Sequence, residues 1–177
     1  MSRSVEEHRA AALSKLRFAV LVSSDRLFEA AGRGERVEDV SGDVASRLIA
    51  EAGHEVARRS LVPNDPVRLV REVVDAVEAG VDVVLVSGGT GLGPRDVAVE
   101  ALTPLFEKRL LGFGELFRRL SFDSVGPAAM LSRADAGVYR GSAIFLVPGS
   151  PHAVELALSK LILPEVGHLL AEVRGLR

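Results

Sequence analysis

The chain has 177 residues, which is enough for one domain with a substantial hydrophobic core. Hydrophobic residues make up 47% and charged residues 26%, with a net charge of -2, so the sequence lacks the basic field expected of a nucleic-acid-binding protein. No apolar run approaches the roughly 20 residues that cross a bilayer, and the charged start does not resemble a secretory signal. We therefore expect a single cytoplasmic domain over residues 1–177 that binds neither nucleic acid nor membranes.

Metal-ligating and nucleophilic side chains are few. Cysteine is absent, which excludes disulfides, thiolate metal sites and cysteine nucleophiles. The histidines are His8, His54, His152 and His168. Their spacing matches no metal-ligand pattern, so we interpret all four as ordinary.

The first third of the chain predicts one strand and one helix. Residues 1–15 are polar with an alanine run, and they fit either a short helix or an arm that reaches a neighbouring subunit. Residues 18–22, FAVLV, predict the first core strand. The charged, glycine-containing residues 26–39 predict a loop. A helix follows, capped by Ser41 and ended by Gly53.

The middle of the chain predicts a strand, a helix and a second strand. Residues 56–62 fit the first of these, and Pro66 begins the helix directly after Asp65, its N-cap. The apolar stripe of this helix consists of Val70, Val73, Val74 and Val77. Gly80 ends the helix, and residues 83–86 form a short β-branched run that is typical of a strand buried on both faces.

Helical patterns and a hairpin follow. Residues 97–106 are helical in pattern, and residues 110–120 predict one or two further short helices. A strand at residues 137–139 turns at Arg140-Gly141 into a last core strand at residues 143–147.

Two prolines mark the last helices. Ser150 caps a helix that begins at Pro151, and Pro164 opens the terminal helix. Strands and helices alternate through most of the chain. This order predicts an α/β fold with three layers, in which helices cover both faces of a mostly parallel sheet.

The most distinctive segment is the glycine loop, residues 88–96, which follows the strand predicted to be most buried. Its glycines are Gly88, Gly89, Gly91 and Gly93. Glycines in this position let main-chain N–H groups converge on a ligand, which suits an anion better than a plain tight turn does. Pro94 follows Gly93, so the loop has neither the lysine of a P-loop nor the third glycine of a dinucleotide fingerprint.

Ligands of parallel sheets collect where the strands end at their carboxyl edge. Three segments meet that condition: residues 23–25, residues 88–96 and residues 148–151. Their candidate binding residues are Ser23, Ser24, Asp25, Gly88, Gly89, Thr90, Gly91, Gly149 and Ser150. Residues 23–25 have an alternative explanation as the end of a strand. Gly149 and Ser150 have an alternative role in capping the next helix.

Several blocks in order resemble one family. VSGGTGLGPRD, GFGELFRRLSF, AAMLSRADAGV and VPGSPHAVELAL, preceded by SSDR and EDVSG, are similar to the MoaB/Mog family of molybdenum cofactor biosynthesis. The resemblance covers nearly the whole chain from Phe18 onward. It implies a MogA-like molybdopterin-binding fold that assembles as a homotrimer or hexamer.

The resemblance also implies an activity. The family transfers AMP from ATP to the terminal phosphate of molybdopterin with Mg²⁺, and pyrophosphate is released. The adenylylated pterin then passes to molybdenum insertion, so a downstream insertion protein is an expected partner. Because the attacking phosphate is already ionised, positioning and charge neutralisation replace a catalytic triad.

The resemblance places phosphate binding at the amides of Gly88, Gly89, Thr90 and Gly91. Asp96 is the leading candidate for a catalytic, Mg²⁺-associated carboxylate. Its alternative role is to cap the helix that follows the loop.

The second acidic position departs from the family pattern. Relatives read Pro-Asp and a further acid after the second strand, whereas this chain reads VPNDP, with Asn64 first and Asp65 second. An amide does not supply the same charge to Mg²⁺, so either Asp65 replaces it or activity is lowered. Asp65 has helix capping as an equally good explanation. Ala98 stands where relatives often carry threonine. A molybdopterin-binding protein with weak or no catalysis is therefore the alternative function.

Three further residues resemble pocket positions of the family. Glu115 lies in GFGEL, and Ser132 and Arg133 lie in LSRA. Arg133 is a candidate partner for phosphate, with a solvated or structural ion pair as the more common role of a lone arginine.

Overall fold

The computed structural model describes residues 15–176 and shows a six-stranded sheet in the order β2-β1-β3-β6-β5-β4. The strands are β1 (Arg17–Ser23), β2 (Glu55–Val62), β3 (Val83–Ser87), β4 (Lys108–Arg109), β5 (Asp135–Tyr139) and β6 (Ser142–Val147). Strands β2, β1, β3 and β6 are parallel, whereas β5 is antiparallel to both β6 and β4. The predicted α/β fold with a mostly parallel sheet is confirmed.

Helices account for most of the remaining chain. They are α1 (Asp25–Gly32), α2 (Val40–Glu51), α3 (Pro66–Glu78), α4 (Ala98–Leu102), α5 (Leu111–Val125), α6 (Pro151–Ala157) and α7 (Leu163–Val173). Short 3₁₀ turns follow α4 (Thr103–Leu105) and α5 (Gly126–Leu131), and a π-helical turn (Leu158–Ile162) joins α6 to α7. Within residues 15–176, no helix combines the length and hydrophobicity that crossing a membrane requires.

The central strand β3 is buried on both faces, as its run of valines predicts. Val83 and Leu85 belong to one core, which packs under α2, α5, α6 and α7. Val84 and Val86 belong to the second core, under α3 and α4. Successive side chains of β3 point to opposite faces of the sheet, so this one strand contributes to both cores, which the sheet separates.

Side-chain caps begin most helices. Asp65 accepts a hydrogen bond from the Arg68 amide at 2.8 Å, and Ser150 accepts one from the Ala153 amide at 3.2 Å. These two caps, with proline in the first turn of each helix, match the prediction. Gly53, at a φ of +84°, likewise follows the end of α2 as predicted.

Two local predictions near the first strand were wrong. The predicted loop at residues 26–39 contains α1, because Ser24 caps a run of helix-forming residues whose Leu27 is buried. Helix α2 is capped by Asp39 and not by Ser41, since the Asp39 carboxylate reaches the Gly42 amide at 2.9 Å. Ser41 lies inside the helix, and its hydroxyl donates to the Gly149 carbonyl at 2.7 Å.

Later elements differ from prediction mainly in extent. Residues 111–125 form one continuous helix, α5, in place of one or two short ones, and strand β4 was not predicted. The buried stripe of α3 contains Leu69, Val73, Ala76 and Val77, whereas Val70 and Val74 are half-buried. The hairpin turn at Arg140-Gly141 is confirmed, with φ of 47° and 78°. Apart from Lys15, the segment predicted as a helix or arm lies outside the described residues.

Candidate functional site

A cavity of about 490 Å³ opens at the carboxyl edge of the parallel strands. The glycine loop forms one wall. The other walls come from the second half of α5, the 3₁₀ turn behind it and the start of α6. Predicted site residues in the lining are Gly88, Gly89, Thr90, Gly91, Asp96, Ser132, Gly149 and Ser150. Two of the three predicted segments, far apart in sequence, therefore meet at one cavity.

Three carbonyl groups of the glycine loop accept hydrogen bonds from residues that do not line the cavity. The Gly89 carbonyl accepts a hydrogen bond from the Ala98 amide at 2.9 Å. Arg133 donates to the carbonyls of Thr90 at 3.2 Å and Gly91 at 2.6 Å. In a trans peptide the N–H points opposite to the C=O of the same unit, so the amides of Thr90, Gly91 and Leu92 face the other way.

Those three amides are the donors that the loop offers to a ligand. Among residues 15–176, none of them has a hydrogen-bond acceptor, and neither does the Gly89 amide. Converging main-chain donors of this kind bind oxyanions. The Gly88 amide differs, because it donates to the Val147 carbonyl at 3.0 Å. Gly88 was predicted to hold phosphate through its amide, and this internal bond takes that donor away.

Two glycines are required by close approach and backbone conformation. Gly88 has a φ of +101°, and a Cβ there would stand 2.3 Å from the Ser23 carbonyl oxygen. Gly89 has a φ of +65°, and its Cβ would stand 2.9 Å from Asn64 Oδ1. A side chain at either position would clash and would also strain the backbone. The loop can therefore turn against the ends of β1 and β2 only with glycine here.

Asp96 folds back onto the glycine loop. Its Oδ2 accepts a hydrogen bond from the Gly93 amide at 2.9 Å, and its own amide donates to the Gly93 carbonyl at 3.0 Å. Asp96 does not cap α4, which begins without a side-chain cap, so that alternative is wrong. The carboxylate is half-buried and lines the cavity. No donor within the described residues contacts its Oδ1.

Asn64 joins a polar group on the other side of the glycine loop. The Ser23 hydroxyl donates to Asn64 Oδ1 at 2.7 Å. The Asn64 backbone amide donates to Asp25 Oδ1 at 2.7 Å, and its side-chain nitrogen lies 3.4 Å from Asp25 Oδ2. Arg95 lies 3.5 Å from the same carboxylate. The tertiary structure thus brings Ser23, Asp25 and Asn64 beside Gly89.

Ser24 and Asp65 have capping roles. The Ser24 hydroxyl accepts from the Leu27 amide at 3.3 Å. The Asp65 carboxylate accepts from the Arg68 amide at 2.8 Å, and the residue does not line the cavity. Of the two roles predicted for Asp65, capping is the one that its contacts show.

Two predicted pocket residues lie elsewhere than expected. Glu115 is exposed on α5 and does not line the cavity. Arg133 does not present its guanidinium to the cavity as a phosphate partner, because that group is bonded to loop carbonyls and to Glu100. The hydrogen bond from Arg133 lowers the pKa of the exposed Glu100 carboxyl. Ser132, by contrast, lies in the cavity wall as predicted from the resemblance.

Sequence reasoning missed the wall that α5 and α6 contribute. Ser121 is buried in the same helical stripe as Phe113 and Phe117, and it lines the cavity. His152, interpreted as ordinary, is also in the lining, and its Nε2 lies 3.4 Å from Ser124 Oγ. A signal was present, because a serine at spacing i+4 from a buried phenylalanine places a hydroxyl on an otherwise apolar stripe.

The arrangement restricts how a metal could be held. Within the described residues, no three His, Cys, Asp or Glu side chains form a ready-made metal site. Mg²⁺ commonly uses one or two carboxylates together with substrate phosphates. Asp96 lines the cavity and has one oxygen without a donor among the described residues, so it fits such a site. Asp65 caps α3 and does not line the cavity.

Comparisons with known proteins agree with this fold. The family model of a probable molybdopterin binding domain matches residues 19–168. "Molybdenum cofactor biosynthesis protein B" of Bacillus subtilis (strain 168) is 42% identical over 173 residues, covering 97% of this chain and 98% of its own length. "Molybdopterin adenylyltransferase" of Pyrococcus furiosus is 38% identical over 174 residues, covering 96% and 98%.

Solved structures show the same likeness. A crystal structure of molybdenum cofactor biosynthesis protein B superposes with a TM-score of 0.82 at 40% identity, covering 91% of this chain and 97% of the other. The tungsten cofactor synthesizing protein MoaB from Pyrococcus furiosus also gives 0.82, at 37% identity, with 92% and 99% covered. The fold and the family model thus identify an α/β domain of the molybdopterin-binding class. The chain belongs to the MoaB/Mog family, and its role lies in molybdenum cofactor biosynthesis.

Proposed function

We propose that the protein transfers AMP from ATP to the terminal phosphate of molybdopterin and releases pyrophosphate. The observation that carries this proposal is the row of main-chain amides at Thr90, Gly91 and Leu92, which have no acceptor among the described residues beside a cavity that Asp96 lines. Both substrates carry phosphates, and such amides bind phosphate oxygens. The relative from Pyrococcus furiosus named molybdopterin adenylyltransferase supports the same reaction.

The reaction needs no proton transfer at the attacking group. An ionised oxygen of the molybdopterin phosphate forms a bond to the α-phosphorus of ATP. The bond from that phosphorus to the oxygen bridging to the β-phosphorus breaks, and pyrophosphate leaves with the electron pair. Catalysis therefore depends on alignment and on neutralising negative charge, which preorganised amides supply without reorganisation during the reaction.

Two groups of the chain have distinct roles in this proposal. The amides of the glycine loop hold phosphate oxygens, and the Asp96 carboxylate would hold Mg²⁺ through its Oδ1. When bound, Mg²⁺ supplies positive charge to the transferring and leaving phosphates. Asp65 is not retained as a metal ligand, because it caps α3 and does not line the cavity.

The test is direct turnover. Purified protein is incubated with molybdopterin, ATP and Mg²⁺, and pyrophosphate and adenylylated pterin are measured together. We expect both products in equal amounts. Pterin binding without either product would refute the transferase and leave a binding protein.

A weakly catalytic molybdopterin-binding protein is the second candidate. Asn64 favours it, because an amide occupies the position where the family resemblance expects a carboxylate, and it is bonded to Ser23 and Asp25. Under this alternative the Asn64→Asp variant gains turnover over a slow wild type. A fast wild-type enzyme that the substitution slows would exclude the alternative.

We further propose assembly as a homotrimer or hexamer and a transfer of product to a molybdenum-insertion protein. Exposed apolar side chains support an interface: Leu111 and Leu116 on α5 are 60% and 55% exposed beside an apolar groove formed with α7. Light scattering after gel filtration tests the assembly, and a monomeric mass at micromolar concentration would refute it.

A further inference from the structure

Arg133 connects three backbone carbonyls and one carboxylate. Its Nε donates to the Thr90 carbonyl at 3.2 Å, and its Nη2 donates to the carbonyls of Gly91 at 2.6 Å and Asp96 at 3.2 Å. Nη1 and Nη2 also pair with the two oxygens of Glu100. One planar group thus contacts the glycine loop at its start and at its end.

These contacts determine which way the peptide units of the glycine loop face. Each carbonyl that bonds to Arg133 belongs to a peptide whose N–H points in the opposite direction. Fixing the carbonyls of Thr90 and Gly91 therefore directs the amides of Gly91 and Leu92 away from Arg133. The Ala98 amide holds the Gly89 carbonyl in the same way and so directs the Thr90 amide away from Ala98. An exposed glycine-rich segment would otherwise sample many orientations.

Arg133 also links the glycine loop to another wall of the cavity. It directly follows Ser132, which lines the cavity behind the 3₁₀ turn Gly126–Leu131. Its side chain is only 25% exposed, so the guanidinium is held between the two segments. Glu100 approaches from α4 and is 61% exposed, which places it on the outer side of the guanidinium.

We propose that Arg133 is a positioning residue for anion binding: by holding the carbonyls of Thr90, Gly91 and Asp96, it presents the loop amides to phosphate as one preorganised group. Glu100 fixes the rotamer of Arg133. The inference rests on the proposed function in one respect, since it takes phosphate to be what the amides bind. Arg133 acts through the loop and does not touch the substrate.

The substitution Arg133→Lys tests this role directly. A guanidinium is planar, with donors on both edges, so it can reach the loop carbonyls and the Glu100 carboxylate together. The ammonium group of lysine keeps the charge but cannot contact the loop carbonyls and the Glu100 carboxylate at the same time. Arg133→Lys therefore separates charge from geometry. Glu100→Gln is the second variant. Because Glu100 is exposed, this substitution should leave the protein folded, so a change in binding would not be due to unfolding.

Arg118 provides the matched control. It is also half-buried and donates to the carbonyls of Ser132 at 3.4 Å and Ala134 at 3.3 Å, next to Arg133 in the chain. Both acceptors lie outside the glycine loop. Arg118→Lys thus perturbs the same segment and leaves the loop carbonyls with their partners.

The experiment measures binding and loop order separately. Pyrophosphate with Mg²⁺ is titrated calorimetrically into the wild type and the three variants. ¹⁵N relaxation in TROSY spectra reports the order of residues 89–92 without ligand. We expect about tenfold weaker pyrophosphate binding in Arg133→Lys, equal to about 1.4 kcal/mol, a smaller loss in Glu100→Gln and none in Arg118→Lys. Loop order should fall in the same ranking.

Different results would contradict the positioning role of Arg133 and the proposed function. Unchanged loop order and unchanged affinity in Arg133→Lys would overturn the positioning role. Equal losses in Arg133→Lys and Arg118→Lys would also overturn it, because the cause would be the shared segment and not the loop. A wild type that neither binds pyrophosphate nor releases it from ATP would refute the proposed function, whereas the ligand-free relaxation data would still decide whether Arg133 orders the loop.

Discussion

Asn64 and Asp25 are joined twice: the backbone amide of Asn64 donates to Asp25 Oδ1 at 2.7 Å, and its side-chain nitrogen lies 3.4 Å from Asp25 Oδ2. Replacing that side-chain nitrogen with oxygen puts two carboxylates in contact beside Gly89. Like charges at this distance repel each other and favour either protonation or a bound cation. The charge at position 64 should therefore decide how strongly this side of the loop attracts a cation.

Asn64→Asp should make stability depend on Mg²⁺. Without the ion, we expect the free energy of unfolding to fall by about 1 kcal/mol, because a hydrogen bond is replaced by repulsion. Millimolar Mg²⁺ should restore the loss and should do less for the wild type. Thermal unfolding across a Mg²⁺ series measures both effects, with Asn64→Ala as the control that removes the hydrogen bond without adding charge. An identical response of the two variants would show that charge at this position is irrelevant.

Gly91→Ala should impair turnover with little effect on stability. A Cβ at Gly91 would stand 2.6 Å from Asp96 Oδ2, while its φ lies outside the left-handed region, so the carboxylate must move and the backbone is not strained. We expect kcat to fall at least about tenfold, a loss of about 1.4 kcal/mol in transition-state stabilisation. Gly112→Ala is the matched control. Its Cβ meets no atom within 4 Å, and in α5 it should stabilise the protein by about 0.5 kcal/mol with normal kcat.

Substitutions at Asp65 should separate capping from catalysis. Asp65→Ala removes the acceptor of the Arg68 amide and should cost about 1 kcal/mol of stability, whereas Asp65→Asn keeps a cap and should cost little. Neither should change kcat at saturating Mg²⁺. Asp96→Asn is the comparison, because it retains an acceptor for Gly93 and loses the charge proposed for Mg²⁺. A large drop in kcat for Asp65→Asn would restore Asp65 as a catalytic residue.

His54 should make the protein less stable under mildly acidic conditions. Burial lowers the pKa of His54 below its ordinary value of 6.5, and its Nδ1 accepts the Leu16 amide at 3.3 Å. The unfolded chain therefore takes up a proton at a higher pH than the folded chain does. The stabilisation is fully present above about pH 6.5 and is lost as the pH falls through the lower folded pKa. Denaturant unfolding between pH 7.5 and 5 should show this decline, and His54→Gln should flatten it.

The local features of this fold were readable from short stretches of sequence. The valine run of β3, the turn at Arg140-Gly141 and the caps at Asp65 and Ser150 each depend on neighbours within a few residues. The glycine loop also carried its own signal, since only bare backbone at positive φ fits its start. The alternation of strands and helices predicted the fold class, and the ordered family motifs predicted the role in cofactor biosynthesis.

Only the tertiary structure decided what each polar group does. The Gly88 amide donates to the Val147 carbonyl, and the guanidinium of Arg133 donates to carbonyls more than 35 residues away in sequence. Neither group thus has the free donors that phosphate binding requires. Asn64 meets Asp25 because two parallel strands end side by side. A side chain's chemistry is a local property, but whether its donors and acceptors remain available depends on distant partners. That is the physical reason why the sequence could locate the glycine loop, whereas the tertiary structure decided which of its donors and acceptors remain available.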